Sequence, residues 1–191
     1  PDADALMNDG LDVTGYDVEL YGNYVYLATA DPAAEIKIID VSNPASVRCN
    51  PCAGSINLNG NGVSRSLFVN GSKLYVGRGV DNPSSDELLV YELSATPTSP
   101  TLVTSYDSDP DGARTVNGLV TVTDGSTVYV YAATTWNTRE LSVIRTTGGT
   151  TQTGGGGAPD IGKTVSTFGD GAFLGTTGAD ACEVFSFGIS T

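Results

Sequence analysis

Apolar and polar residues alternate along this chain in short runs, and the runs recur in a fixed order. A run such as Val18-Glu19-Leu20 leads into a glycine turn, Tyr21-Gly22-Asn23-Tyr24, and then into Val25-Tyr26-Leu27. The same turn and strand return in Asn70-Gly71-Ser72-Lys73-Leu74-Tyr75-Val76 and in Asp124-Gly125-Ser126-Thr127-Val128-Tyr129-Val130. They return once more in Phe168-Gly169-Asp170-Gly171-Ala172-Phe173-Leu174. Period-two alternation broken by glycine turns predicts strands joined as hairpins. After each hairpin a glutamate introduces a further apolar strand: Glu35 before Ile36-Lys37-Ile38-Ile39, Glu87 before Leu88-Leu89-Val90-Tyr91, Glu140 before Leu141-Ser142-Val143-Ile144 and Glu183 before Val184-Phe185-Ser186-Phe187.

A landmark pair that recurs roughly every 50 residues marks an internal repeat. Thr101-Leu102-Val103-Thr104-Ser105-Tyr106 supplies a fourth strand in the second unit, and Gly54-Ser55-Ile56-Asn57-Leu58 is its candidate counterpart in the first. Four antiparallel strands per unit is the blade pattern of a β-propeller. The reading is therefore all-β: one domain over residues 1–191, a small propeller of four blades with about four strands each. The units run approximately over 8–58, 59–106, 107–155 and 156–191. The last unit has no fourth strand of its own, and the segment around Ala5-Leu6-Met7 is the candidate to supply it and close the ring. Otherwise the chain is an open arc or part of a larger propeller.

Composition narrows the chemistry. Gly is abundant at 24 residues, which suits many tight turns. The 22 acidic and 9 basic residues leave a net charge of −13, which repels phosphate backbones and anionic lipid. Nucleic acid is thus excluded as a partner, and no apolar stretch is long enough for direct membrane insertion. Histidine is absent, which removes Ser-His-Asp and Cys-His catalysis and His-ligated zinc. No signal peptide follows Pro1, so an export signal is expected upstream.

Asp40-Val41-Ser42-Asn43-Pro44, taken with Gly22-Asn23-Tyr24-Val25-Tyr26-Leu27-Ala28, resembles the LVIVD-type repeat of bacterial surface propellers. The likeness is clearest in the first unit and fades by the fourth. Some such proteins carry a type IV pilin-like helix ahead of the repeats, and none stands in this sequence. The resemblance implies an exported propeller with a binding or adhesive role and fixes no catalytic residue.

Several local motifs compete for a role. Gly157-Ala158-Pro159-Asp160-Ile161-Gly162-Lys163-Thr164 matches the phosphate-loop pattern letter for letter. Such a loop needs a buried strand before it and a helix after it. The preceding run, 147–157, is Thr, Gly and Gln, and the following one reads as a strand, so the segment is taken as an inter-blade loop. Asp107-Ser108-Asp109-Pro110-Asp111-Gly112 spaces three carboxylates as a calcium loop does, with calcium as the candidate cofactor; a solvated turn is the competing reading. Cys49-Asn50-Pro51-Cys52 has too few partners for zinc and no helix for redox work, which leaves a structural Cys49–Cys52 disulfide, with pairing to Cys182 as the alternative. The repeat glutamates are read as braces for neighbouring loops, with a cation-binding carboxylate ring as the other reading.

Within each blade the loops after the second strand share one end with the inter-blade connections. That end collects many of the aspartates together with Asp81, Asp86, Trp136 and Arg139, and these four are the candidate binding residues, Trp136 as an exposed aromatic for stacking. The expected function is an extracellular or cell-surface binding module, with or without a pilus, whose partner is a glycan or a protein on another surface. The rival readings are a structural subunit contacting other filament subunits and a carboxylate-based glycoside hydrolase. No carboxylate pair stands out, so the chain is read as a non-enzyme.

Overall fold

The computed structural model describes residues 13–186 apart from 48, 50, 59–61, 81–84, 108–113, 137–138, 158–160, 170 and 178–181. The described residues form four antiparallel sheets in chain order. Blade one holds β1 (Gly15–Tyr21), β2 (Tyr24–Thr29), β3 (Ile36–Asp40) and β4 (Gly54–Ile56). Blade two holds β5 (Gly62–Asn70), β6 (Lys73–Val80), β7 (Leu88–Glu92) and β8 (Thr101–Tyr106). Blade three holds β9 (Val116–Asp124), β10 (Thr127–Thr134), β11 (Leu141–Arg145) and β12 (Thr151–Gly156). Blade four holds β13 (Gly162–Phe168), β14 (Gly171–Thr176) and β15 (Cys182–Ser186). Among the described residues the single helical element is a short 3₁₀ turn at Pro44–Ser46. The chain is an all-β protein with the blade arrangement of a small propeller. The segment around Ala5-Leu6-Met7 lies outside the described residues.

The four hairpins share one physical cause. Gly22, Gly71, Gly125 and Gly169 all have positive φ, between 56° and 60°. Two-residue hairpin turns need that conformation to match the twist of their strands, and only glycine adopts it without steric cost.

Three hydrophobic cores lie between successive blades. Tyr26, Ile36 and Ile38 of blade one meet Leu74, Leu89 and Leu93 of blade two. Tyr75, Leu88 and Val90 of blade two meet Leu119, Val130 and Ile144 of blade three. Tyr131 and Leu141 of blade three meet Val165, Ala172 and Leu174 of blade four. Polar links run beside them. The Leu67 N–H donates to Asp17 Oδ2 at 2.7 Å, Asn70 Nδ2 to Thr121 Oγ1 at 2.9 Å and Asn117 Nδ2 to the Gly162 carbonyl at 2.7 Å. The first strands β1, β5, β9 and β13 pack on one another in sequence, which makes them the inner strands of the blades.

One element departs from expectation. The sequence pattern assigns no strand to the Thr-, Gly- and Gln-rich run 147–157, yet the largely exposed β12 forms there and pairs with β11. The β-propensity of Thr-Gln-Thr-Gly-Gly-Gly is low, and pairing at the outer edge overrides it. A Cβ at Gly156 would fall 2.1 Å from Phe185 Cε1, so glycine there lets blade four close on blade three. Gly162, Lys163 and Thr164 lie in strand β13, so no helix follows the phosphate-loop look-alike.

The Asp40-Val41-Ser42-Asn43-Pro44 motif also has a local explanation. Asp40 Oδ1 accepts the Ser42 N–H at 2.8 Å, and Asn43 Oδ1 accepts the Ala45 N–H at 3.1 Å to open the 3₁₀ turn. Cys49 and Cys52 just beyond form the disulfide, and Cys182 is free and exposed.

Candidate functional site

At one end of each of blades one to three, the second strand passes into the third through a loop of common build. In blade one, Thr29 donates its N–H to the Glu35 carbonyl at 2.8 Å and its hydroxyl to the Ala34 carbonyl at 3.0 Å. Thr29 Oγ1 in turn accepts the Asp31 N–H at 3.2 Å. Blade three repeats the arrangement: the Thr134 N–H meets the Glu140 carbonyl at 2.7 Å, its hydroxyl meets the Arg139 carbonyl at 2.9 Å, and it accepts the Trp136 N–H at 3.3 Å. In blade two the same backbone bond joins Arg78 to Glu87 at 2.9 Å, with an arginine where the other two have threonine.

The carboxylates of Glu35, Glu87 and Glu140 are buried. Glu35 Oε2 accepts the Leu58 N–H at 2.9 Å, in the connection leading to blade two, so this glutamate braces a neighbouring loop as expected. Arg78, 1% exposed, donates Nη1 to the Leu58 carbonyl. One residue of the inter-blade connection is thus clamped by an acid from blade one and a base from blade two. Burial holds the Arg78 guanidinium below its ordinary pKa, while the nearby Glu35, Tyr91, Asp86 and Glu87 act in the opposite sense. Burial also pushes the neighbouring Tyr91 phenol up to about 12. Glu183 differs from the other three: it lies within β15 opposite Leu174 and is half-buried.

The inner strands carry a second repeated device at this same end. In each, the pairing register slips by one residue near the strand's start. Gly15 pairs with Thr29 but Asp17 with Ala28, which leaves Tyr16 as an extra residue. By the same slip Arg65 is extra in blade two, Asn117 in blade three and Lys163 in blade four. A β-bulge re-aims the side chain it carries, and bulges gather beside functional sites. Bulge residues of adjacent blades meet directly: the Arg65 guanidinium lies 4.2 Å above the Tyr16 ring. Asn117 reaches the Gly162 carbonyl immediately before Lys163.

A cleft of about 380 Å³ opens beside Arg65. Its walls are Ala30 and Pro32 from the blade-one loop, Val63 and Arg65 from β5, Val80 from β6 and Thr115 before β9. Thr115 is held in place by a bridge to Gly79 and by bonds with Thr135 on both its N–H and its carbonyl. Arg78 lies behind the wall, where a Cβ at Gly62 would sit 3.2 Å from its Nε.

Two further clefts involve the residues expected to bind. Asp86 lines one of about 190 Å³ with Leu58, Arg78, Ser85 and Tyr91. Arg139 lines another of about 320 Å³ with Gln152 and Thr153, and donates to Gln152 Oε1 at 2.7 Å. Trp136 corrects an expectation. It is 6% exposed, so it offers no exposed face for stacking, and its indole N–H has no acceptor among the described residues. Asp81 lies outside the described residues. The structure therefore places Asp86 and Arg139 in separate clefts and does not bring the expected four together.

The calcium reading falls mostly outside the described residues. Asp107 is half-buried, while Asp109 and Asp111 are not described. Among the described residues no three carboxylate or thiol side chains gather to hold a metal ion. Sequence reasoning missed Arg65, Thr115 and Lys163 as site candidates. The signal was present in part: counted back from the turn glycines, Tyr16, Arg65 and Lys163 occupy one position of the repeat.

Comparison with known proteins supports the fold. Residues 15–49, which span β1 to the segment after the 3₁₀ turn, match the LVIVD repeat, a β-propeller-type repeat. No curated protein matches the chain. Among solved structures, the chain is similar to the computationally designed Ika4 protein at 13% identity, with a TM-score of 0.59 and 94% of each chain covered. It also aligns with the computationally designed Ika8 protein at 9% identity and a TM-score of 0.41, covering 93% of this chain and 59% of that one. The matched segment and the Ika4 likeness meet in one conclusion: this chain is built on a repeat β-fold of the propeller type.

Proposed function

We propose that the protein is a binding module of the exported, cell-surface class, which recognises its partner with the loop end of the blades. The observation that carries this reading is an asymmetry between the two ends. The hairpin end carries the two-residue glycine turns and the connections 41–53, 93–100 and 146–150, whereas the described clefts beside Arg65, Asp86 and Arg139 involve the loops and strand ends opposite them. Rigid strands that present varied loops are a general design for recognition. The Cys49–Cys52 disulfide fits an oxidising, extracytoplasmic setting. The partner is a glycan or a protein on another surface.

A panel of immobilised glycans and surface proteins tests this reading. Asp86→Ala and Arg139→Ala should weaken whatever binding the panel reveals, and Lys73→Ala, beside a hairpin turn, should not. Loss with Lys73→Ala alone would assign recognition to the opposite end.

A second reading, assembly into a filament, is favoured by one observation. Val18 and Leu20 of blade one and Val184 of blade four are more than half exposed on strands at the two ends of the blade series. Sedimentation of the purified chain over a concentration series, with Val184→Ser as the comparison, decides whether these strands join copies.

A further inference from the structure

We propose that the cleft beside Arg65 binds a small ligand carrying a single carboxylate, about the size of a sugar acid. The inference deepens the reading of the loop end as the recognition end, and rests on it. The first ground is the state of Arg65. Its guanidinium lies over the face of Tyr16; among the described residues it forms no salt bridge, and its Nε is sealed from solvent without an acceptor. An arginine fork stacked on an aromatic ring is pre-organised to take a carboxylate through two parallel hydrogen bonds.

The second ground is that the described acids beside Tyr16 and Pro32, Asp17 and Asp31, are engaged elsewhere. Asp31 is paired with Lys37 at 3.2 Å, and Asp17 accepts the N–H groups of Val18 and Leu67. The third ground is the bulge register. The position that places Arg65 in blade two places Lys163 in blade four, so two of the four bulge residues are cations in a chain with only 9 basic residues against 22 acidic ones. A device repeated in every blade but filled by Tyr, Arg, Asn and Lys is what repeat proteins use to vary specificity on a constant scaffold.

Size and charge narrow the ligand. A volume of about 380 Å³ is near the lower end for small-molecule sites and fits one sugar ring. Ala30, Pro32, Val63 and Val80 provide aliphatic walls, and Thr115 contributes a hydroxyl. The net charge of −13 repels polyanions, which favours an isolated carboxylate over a chain of charges.

Backbone amide NMR with sodium glucuronate, glucose and inorganic phosphate as probes tests the proposal on the intact chain. Glucuronate should bind in the millimolar range, as expected of a ligand with so few atoms, and should shift the amides of Gly62, Gly79 and Thr115. Glucose, which differs in lacking the carboxylate, should not saturate, and phosphate should bind more weakly. Arg65→Met should weaken glucuronate binding about tenfold or more, Arg65→Lys by less, and Lys163→Met least. No saturable glucuronate binding, equal binding of glucose, phosphate binding as tight as glucuronate, or an unaffected Arg65→Met protein would each overturn it. The wild-type comparison of glucuronate with glucose stands even if Arg65→Met fails to fold. If glucuronate fails while Asp86→Ala and Arg139→Ala still reduce panel binding, the loop end remains the recognition end and only the ligand assignment falls.

Discussion

Blade two and blade four begin from the same repeat and end in different surroundings. Their turn glycines, Gly71 and Gly169, have φ of 59° and 56°, and their first hairpins pair alike. Blade two is then packed on both faces, with Leu74 and Leu89 toward blade one and Tyr75 and Leu88 toward blade three. Among the described residues blade four has one such core, formed by Val165, Ala172 and Leu174 against blade three, while Phe173 and Val184 are exposed. In a repeat protein stability is approximately a sum of intrinsic unit terms and neighbour interfaces. The difference between these blades therefore isolates the interface term, because the local sequence signals are shared.

The sharpest way to break the comparison is to cut the core on each side. Leu88→Ala, at a fully buried position, should cost about 2–5 kcal/mol. Val184→Ala, at a position 65% exposed, should stay within about 0.5 kcal/mol. Urea unfolding of both variants measures this; equal losses would mean that the exposed face of blade four is covered in solution.

The buried brace should come next in size. Glu35→Ala leaves the Leu58 N–H without its acceptor and takes an anion from beside Arg78, an expected loss of about 1–3 kcal/mol. Glu183→Ala, on the half-buried counterpart in blade four, should stay within about 0.5 kcal/mol. Hydrogen exchange should then show faster opening of β3 and β5 in the Glu35 variant.

Turn substitutions sharpen the comparison from the other direction. Gly71→Ala and Gly169→Ala force alanine into the same left-handed geometry, at an expected cost of about 1–2 kcal/mol each. Similar losses in thermal melts would locate the difference between the blades in packing; a much smaller loss for Gly169→Ala would show that blade four frays before the rest unfolds.

These particulars also explain what could be read from the chain in advance. The hairpins were legible because a two-residue turn demands glycine at one position, and Gly22, Gly71, Gly125 and Gly169 stand there. The bracing role of Glu35 was legible because an acid recurring in one place in every unit serves the architecture. Strand β12 was not legible, because its Gly156 answers to Phe185 of another blade. Arg65 was only partly legible as a site residue: it shares one repeat position with Tyr16 and Lys163, but the bulge itself is a property of the pairing between two strands. Trp136 misled for a similar reason: whether a loop tryptophan is buried depends on tertiary packing, and this one is.

The smallest effect concerns the acids that close the third strands of blades one and two. Asp40 and Glu92 are each opposite the residue that follows the turn, Tyr24 and Lys73 respectively. The Lys73 ammonium, 2.8 Å away, together with Ser72 and Ser94, holds the Glu92 carboxyl well below its usual 4.5. Ser42 holds Asp40 below its usual 3.8. A carboxylate whose pKa is lower folded than unfolded binds protons more readily in the unfolded chain, so its stabilising contribution is present above the ordinary pKa and is lost as the pH falls through the folded value. Stability should therefore decline below about pH 4.5, and Glu92→Gln should make that decline slightly shallower, by a small amount because the pair is solvent-screened. Lys73→Met should raise the Glu92 pKa in an NMR titration while leaving that of Asp40 in place. Added salt should reduce the contribution of the Lys73–Glu92 pair and leave the Leu88→Ala loss nearly unchanged, since charge screening acts on exposed pairs and not on the buried core.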